Sequence, residues 1–445
     1  MDFENLNKHN IYAVPVGDYF GKDKEKCYLV YSPLANASFI SLPADVQKLE
    51  ENLQHGQFSP ALKRLLEEKL KDRHDIIGHD TFCTLHLLMN EKCNFHCKYC
   101  YSATGRSKAE LDLNTITVAL EYFLSSERKA VKERTVMFMG GGEPVLSWPL
   151  VEETTLVAES IAKNNDVNLQ LALTTNGSIM TDEMLCFLKE HNFRIQISFE
   201  VLPDVQKSQR GVYDKVAENI NKICDYGISN YIRSTITELN VERIPEMVRH
   251  CQQTFPKVKK LNCQQIVDPD YFSSTAVVKD FFEKYFKSFN EGAEIAKETG
   301  LELTSSSSHL IKYSRREKFC YNLLCLTPYG TFTTCPDVSS PNEDGYNEAI
   351  IAHIENNDVI FDEEAFLRKS SGSIHTYEPC KTCWARWNCG SGCPDNRRVY
   401  SDEIFYSICD FYRRMLCHNL MEDLAAKYQH KTNNDFYKDI ASKLQ

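Results

Sequence analysis

The sequence predicts an α/β chain built on a parallel sheet, with a small strand-and-helix module ahead of it and an irregular cysteine-rich segment behind. Three observations carry that expectation. Apolar strand-like runs alternate with helical runs from Thr84 to Val267. Ahead of Phe82, short strands are followed by two runs with apolar residues at three- and four-residue intervals. Beyond Gly300 the periodicity fades while cysteines crowd between Cys320 and Cys409.

In order along the chain, "IYAVPVGDYF" and "KCYLVYSPLANASFI" read as short strands around the charged turn "GKDKEK", and "LPADVQKLEENL" and "SPALKRLLEEKL" read as helices. The repeat then begins. "TLHLLM", "RTVMFM", "NLQLALT", "RIQISF", "YIRSTI" and "KKLNCQQIV" are the strands, and "TITVALEYFL", "PLVEETTLVAESIAK", "TDEMLCFLKEHN", "YDKVAENINKICDYG" and "RIPEMVRHCQQTF" are the helices between them. Strictly alternating strands and helices imply parallel pairing with right-handed crossovers, as a doubly wound sheet or a full or partial barrel. "AVVKDFFEKYFKSFNEGAEIAKETG" closes this domain near Gly300, and "LTSSSSHL" is a polar joint. The expected division is 1–81, 82–305, 306–417 and a polar, partly helical tail at 418–445.

The chain has 445 residues and a net charge of -11, with 42% hydrophobic residues. The charge argues against a nucleic-acid partner, since no excess of Lys and Arg is available to neutralise phosphates. No apolar run reaches the ~18 residues of a membrane-spanning helix, and "MDFENLNKHN" lacks the pattern of a secretory signal. A cytoplasmic location is expected. In that reducing compartment, 18 cysteines point to metal binding rather than disulfides. Seven of them (Cys27, Cys83, Cys186, Cys224, Cys251, Cys263 and Cys417) lie scattered and read as small buried hydrophobes. The remaining cysteines form two groups.

The first group is "KCNFHCKYCY", with Cys93, Cys97 and Cys100 directly after the first strand of the repeat. Three thiolates are one short of a structural zinc site. On a cubane iron-sulfur cluster they leave one iron open to an amine and a carboxylate of a small molecule. Other motifs follow the later strands. "GGGEP" at Gly140–Pro144 ends the second, "TNG" the third, and Ser198 and Glu200 the fourth, while Arg233 lies in the fifth. Reactive groups of parallel α/β domains collect at these carboxyl ends.

"CNFHCKYC", "GGGEP", "TTNG" and "SFE" at successive strand ends resemble the radical S-adenosylmethionine (SAM) superfamily. The resemblance implies a partial (β/α)6 barrel with a [4Fe-4S] cluster on Cys93, Cys97 and Cys100. It implies SAM on the open iron, with its amine near Gly141, Gly142 and Glu143 and its adenine against the backbone at Tyr99. Ser198, Arg210 and Arg233 are further candidates for its ribose and carboxylate.

The second group is Cys320, Cys325, Cys335, Cys380, Cys383, Cys389, Cys393 and Cys409. Its spacing resembles the SPASM extension of radical SAM enzymes that modify peptides. The family pattern implies a first auxiliary [4Fe-4S] cluster on Cys320, Cys325, Cys335 and Cys393, and a second on Cys380, Cys383, Cys389 and Cys409. A pair of zinc sites is the alternative. Three clusters and SAM are therefore the expected cofactors, with flavodoxin or ferredoxin as electron donor. The expected partner is a peptide or protein, with no nucleic acid and no membrane.

Two activities fit that extension: crosslinking of a ribosomally made precursor peptide, and anaerobic sulfatase maturation to formylglycine. In sulfatase enzymes an Asp follows the cysteine aligned with Cys335. Here "TCPDV" puts Pro336 there and displaces the candidate base, Asp337, by one. The module before Phe82 resembles the leader-peptide recognition element of peptide maturases, a winged-helix-like fold, and as such is expected to be removable without loss of SAM cleavage. A non-catalytic iron-sulfur scaffold is the remaining alternative.

Overall fold

Each helical run of the repeat has one apolar face, and burying that face against strands fixes the topology. In the helix Leu113–Phe123 the buried residues are Ile116, Ala119, Leu120 and Phe123, the i, i+3, i+4, i+7 stripe. Side chains cap the starts. Asp112 accepts from the Thr115 N–H at 3.0 Å, and Thr181 accepts from the Met184 N–H at 3.2 Å to open Asp182–Glu190. Gly300 ends Thr275–Thr299 in the left-handed conformation, with φ 71°. These features come from a computed structural model, which describes residues 3–67, 78–128, 132–310, 316–320 and 322–444. The end of the helix expected over "SPALKRLLEEKL" falls partly at 68–70, outside the described residues.

The N-terminal segment forms a three-stranded antiparallel sheet in the order β1 (Tyr12–Pro15), β2 (Tyr28–Ser32) and β3 (Ala37–Ser41), with helices at Glu4–Lys8, Pro43–Gln54 and Pro60–Leu66. The repeat supplies β4 (Thr84–Leu88), β5 (Glu133–Met139), β6 (Asn168–Thr175), β7 (Arg194–Ser198), β8 (Ser229–Ile236) and β9 (Lys260–Gln265), followed by β10 (Glu302–Thr304). These seven strands are parallel and lie side by side in chain order. The region expected to be irregular contributes β11 (Leu323–Leu326), β12 (Thr331–Thr333), β13 (Ile350–Glu355) and β14 (Asp358–Phe361). β11 pairs in parallel with β4, and β12 to β14 continue antiparallel, giving an 11-stranded sheet. The result is the parallel α/β core expected of a radical SAM partial barrel.

Two compact units emerge: Ile76–Ser305 with Cys320–Ser371, and Met1–Asp75 with Ser306–Phe319 and Gly372–Gln445. The boundary runs through the segment expected at 306–417 because β11 completes the core sheet. In the second unit the N-terminal sheet and the C-terminal helices share one core. Val16, Phe20, Leu29 and Tyr31 pack with Ala385, Leu416, Leu420, Met421 and Phe436. The segment expected as a polar tail therefore has a buried face, on the helices Asp402–Thr432 and Phe436–Lys443. Among the described residues, no helix is long and apolar enough to cross a membrane.

Candidate active site

At the carboxyl ends of β4 to β7 the loops are bonded to one another. The Gly142 and Glu143 N–H groups donate to the Asn90 and Lys92 carbonyls at 2.9 and 2.7 Å. A Cβ on Gly142 would lie 2.0 Å from the Lys92 carbonyl oxygen, so this glycine is required by the approach of the cysteine loop. Gly141 is more open, its nearest such neighbour being Ser339 Oγ at 3.4 Å, and Ser102 Oγ beside it is buried without a hydrogen-bond partner. Asn94 accepts from Asn176 Nδ2 and donates to Ser178 Oγ, both at 2.8 Å, joining the cysteine loop to "TNG".

Glu143 is buried and its carboxylate accepts from Thr175 Oγ1 and the Asn176 N–H, each at 2.7 Å. Burial pushes its pKa up to about 7, against hydrogen bonds that favour the ionised form. It thus ties two strand ends together and titrates near neutrality, with acceptor capacity left for an ammonium group.

A second network lies beyond β7. Glu200 is fully buried, accepts from Arg210 Nε at 2.7 Å, Ser234 Oγ at 2.6 Å and the Thr235 N–H at 3.0 Å, and takes a short hydrogen bond from the Tyr99 hydroxyl. Arg210 lies 5.3 Å from the Tyr99 ring centroid and reaches Cys97 Sγ at 3.6 Å. Arg106 reaches Cys100 Sγ at 3.3 Å, and its Nε is buried and unpartnered. Burial pushes the Cys97 thiol up and Arg210 pulls it back toward thiolate. Two guanidiniums on a loop of three soft sulfur donors suit an anionic iron-sulfur cluster, and the open face at Gly141 beside Ser102 suits a small polar ligand. Ser198 and Arg233 are in register on β7 and β8. Replacing Glu200 with Gln is expected to leave Arg210 uncompensated and destabilise the fold by about 3–5 kcal/mol. Denaturant unfolding of Glu200→Gln beside Glu200→Gln/Arg210→Met checks this, the double variant recovering part of the loss.

The later cysteines divide by unit. Cys320, Cys325 and Cys335 belong to the unit of the large sheet and Cys393 to the other. Cys325 is fully buried on β11, in register with His86 and Thr333, and burial holds its thiol well above the usual range. Burial pushes the neighbouring His86 imidazole down to about 4. Asp337 is half-buried, within electrostatic reach of Tyr101, Cys325 and Glu343. Cys380, Cys383, Cys389 and Cys409 together line one pocket with Arg397 and Arg413. Among the described residues no three Cys, His, Asp or Glu side chains converge as closely as a single metal ion requires.

The Radical SAM superfamily profile matches residues 87–251, the stretch that carries the three-cysteine loop, "GGGEP", "TNG" and Glu200. Residues 87–251 are a radical SAM domain. The family uses a [4Fe-4S] cluster together with SAM. The chain is 22% identical over 335 residues to the cysteine-type anaerobic sulfatase-maturating enzyme of Clostridium novyi, covering 69% of this chain and 86% of that protein. Across the first four curated relatives it spans only 26% to 56% of their length. In fold it is similar to native anSMEcpe with bound AdoMet, with a TM-score of 0.60 and 15% identity over 76% of this chain and 98% of that one. It is also similar to Streptococcus suis SuiB bound to precursor peptide SuiA, with a TM-score of 0.51 and 13% identity over 79% and 85%.

Several residues around the radical SAM domain's thiols carried no signal of their own. Arg106 and Asn94 are ordinary loop residues in sequence, and only folding brings them to Cys100 and to Asn176. Glu200 was visible as the last residue of "SFE", but its partners lie on three other segments.

Proposed function

We propose that this chain is a radical SAM peptide maturase, an oxidoreductase that forms a thioether or carbon-carbon crosslink in a ribosomally made precursor peptide. When bound, a reduced [4Fe-4S] cluster supplies the electron that cleaves SAM to methionine and a 5′-deoxyadenosyl radical, which takes a hydrogen atom from the peptide. Cys93, Cys97 and Cys100 would hold that cluster, and Arg106 and Arg210 would offset its charge. Gly141, Gly142 and Glu143 would receive the amine of SAM, with Tyr99, Ser198, Arg210 and Arg233 along the rest of it. Cys320, Cys325, Cys335 and Cys393 would hold a first auxiliary cluster and Cys380, Cys383, Cys389 and Cys409 a second, and these would supply an acceptor for the electron left on the substrate. Asp337 is the candidate base, and a flavodoxin or ferredoxin the donor.

The observation that carries the peptide reading is the three-stranded N-terminal sheet, in which β3 is an edge strand paired, among the described residues, only with β2. Pro15 removes a donor from the opposite edge strand, whereas β3 keeps every N–H. An extended leader can add there as a fourth strand. SuiB, similar in fold, has been captured with its precursor peptide. Neighbouring positions of an edge strand point their N–H groups alternately inward and outward, so of Ser38→Pro and Phe39→Pro one removes an outward donor. That variant is expected to weaken leader-peptide binding at least tenfold while SAM cleavage persists. Unchanged leader affinity in both variants sinks the assignment.

Sulfatase maturation is the second reading, favoured by the 86% coverage of the Clostridium novyi enzyme. Formylglycine in a Cys- or Ser-bearing sulfatase peptide, detected by mass, would support it over crosslinking.

A further inference from the structure

Four cysteines and three arginines line one cavity of the smaller unit, and the arginines differ in how their charge is spent. Arg413 reaches Cys383 Sγ at 3.7 Å but is paired with Asp410. Arg386 donates to the Lys381 carbonyl and to Asn10 Oδ1. Arg397 donates to Cys380 Sγ at 3.3 Å, and its Nη2 and Nε both bond the Ser391 carbonyl, at 2.8 and 3.1 Å. Its guanidinium carbon is clamped between two rings, 4.0 Å from the Tyr377 centroid and 4.1 Å from that of Phe405. Among the described residues no carboxylate forms an ion pair with it. Arg397 is therefore a fixed positive charge held against a sulfur of the proposed cluster seat.

The charge arithmetic gives that position a consequence. Four thiolates around a [4Fe-4S]²⁺ core sum to -2, and one added electron makes -3. A guanidinium held on a ligand sulfur stabilises the reduced form more than the oxidised one, so the reduction potential rises. We infer that Arg397 sets the potential of the cluster on Cys380, Cys383, Cys389 and Cys409 and so fits this seat to take the electron released when the substrate radical closes to product. In that step the peptide radical loses one electron to the cluster, which passes from the 2+ to the 1+ state, and one proton to solvent. The inference rests on the proposed auxiliary cluster. Arg397 is a positioning residue for charge, since it touches the seat and not the substrate.

The test uses the full chain, reconstituted anaerobically, with Cys93, Cys97 and Cys100 replaced by alanine so that only auxiliary clusters remain. Redox titration followed by the EPR signal of the reduced clusters is compared for Arg397, Arg397→Gln and Arg397→Lys. In Arg397→Gln one potential is expected to fall by a tenfold change in the one-electron equilibrium, about 59 mV, while the other stays in place and iron content is unchanged. Arg397→Lys, which keeps the charge without the two-point anchor, is expected to recover at least half. Two unmoved potentials in fully loaded Arg397→Gln overturn the inference. Should Arg397→Gln fail to load, Arg397→Met, which keeps apolar packing between Tyr377 and Phe405 without the charge, decides in its place, a fall in one potential supporting the inference and no change overturning it. A parent protein with no cluster on these four cysteines removes the reading beneath it instead.

Discussion

Replacing Cys93, Cys97 and Cys100 together with alanine is expected to abolish 5′-deoxyadenosine formation from SAM and dithionite, to below one part in a thousand of the parent. Iron and sulfide should each fall by about four per chain, one [4Fe-4S] equivalent. The expectation is this severe because the three thiols share one short loop, and removing all three takes every sulfur donor from it. Asn94, Phe95 and Lys98, the neighbours inside it, are tied by hydrogen bonds to other segments, to Ser178 Oγ, to Arg106 and to the Gln209 carbonyl. The loop should therefore keep its shape in the variant, and circular dichroism should be unchanged. Retention of deoxyadenosine formation would mean that another part of the chain binds the SAM-cleaving cluster, and the assignment of the radical SAM site would fail.

Removal of residues 1–67 is the second large effect expected, and it falls on iron content as much as on peptide recognition. A recognition module resembling those of other maturases suggests a detachable piece, with SAM cleavage surviving its loss. The packing argues otherwise. Val16, Phe20, Leu29 and Tyr31 are buried against Ala385, Leu416, Leu420 and Met421, and Cys383 and Trp384 pack at the edge of the same cluster. Tyr31 donates to Asn388 Oδ1 at 2.9 Å, and Trp387 Nε1 donates to Asn10 Oδ1 at 2.8 Å. Asn388 and Trp387 stand between Cys383 and Cys389, so the truncation strips the support of two proposed ligands. Each large side chain uncovered forfeits about 1.5–3 kcal/mol of burial. The truncated chain is expected to lose about four irons and to aggregate, whereas the proline variants of β3 keep full iron. A truncated chain with the parent's iron content and a monodisperse sedimentation profile would show the module to be independent after all.

Local pattern made the alternation of β4 to β9 with their helices readable, and the ends agree closely. "RTVMFM" became Glu133–Met139, and "RIPEMVRHCQQTF" became Ile244–Thr254. Runs of five to eight residues with a two-residue or 3.6-residue period announce themselves locally. β11 to β14 did not, because they are three to six residues long and sit among cysteines and turns. The pairing of β11 with β4 and the common core of Leu29 and Leu416 join segments hundreds of residues apart, and no local period encodes such contacts. In the candidate site the thiols and glycines were legible through their spacing. The reason for Gly142 was not: it makes room for the Lys92 carbonyl, a demand set by the neighbouring loop. Arg106 on Cys100 and Arg397 on Cys380 were likewise invisible, since a charge six or seventeen residues from a cysteine carries no spacing signal.

The place of β4 between β5 and β11 has a consequence for biosynthesis. Asn322, whose carbonyl receives the N–H groups of Cys83 and Thr84, leaves the ribosome long after they do. At ~5–20 residues per second, β4 waits roughly 12 to 48 s for its second neighbour. Through that interval the strand leading into the cysteine loop is a bare sheet border, open to whatever delivers iron and sulfide and equally to pairing with another nascent chain. Yield in cells should therefore depend on translation speed across the stretch from β5 to β11 as well as on the supply of metal.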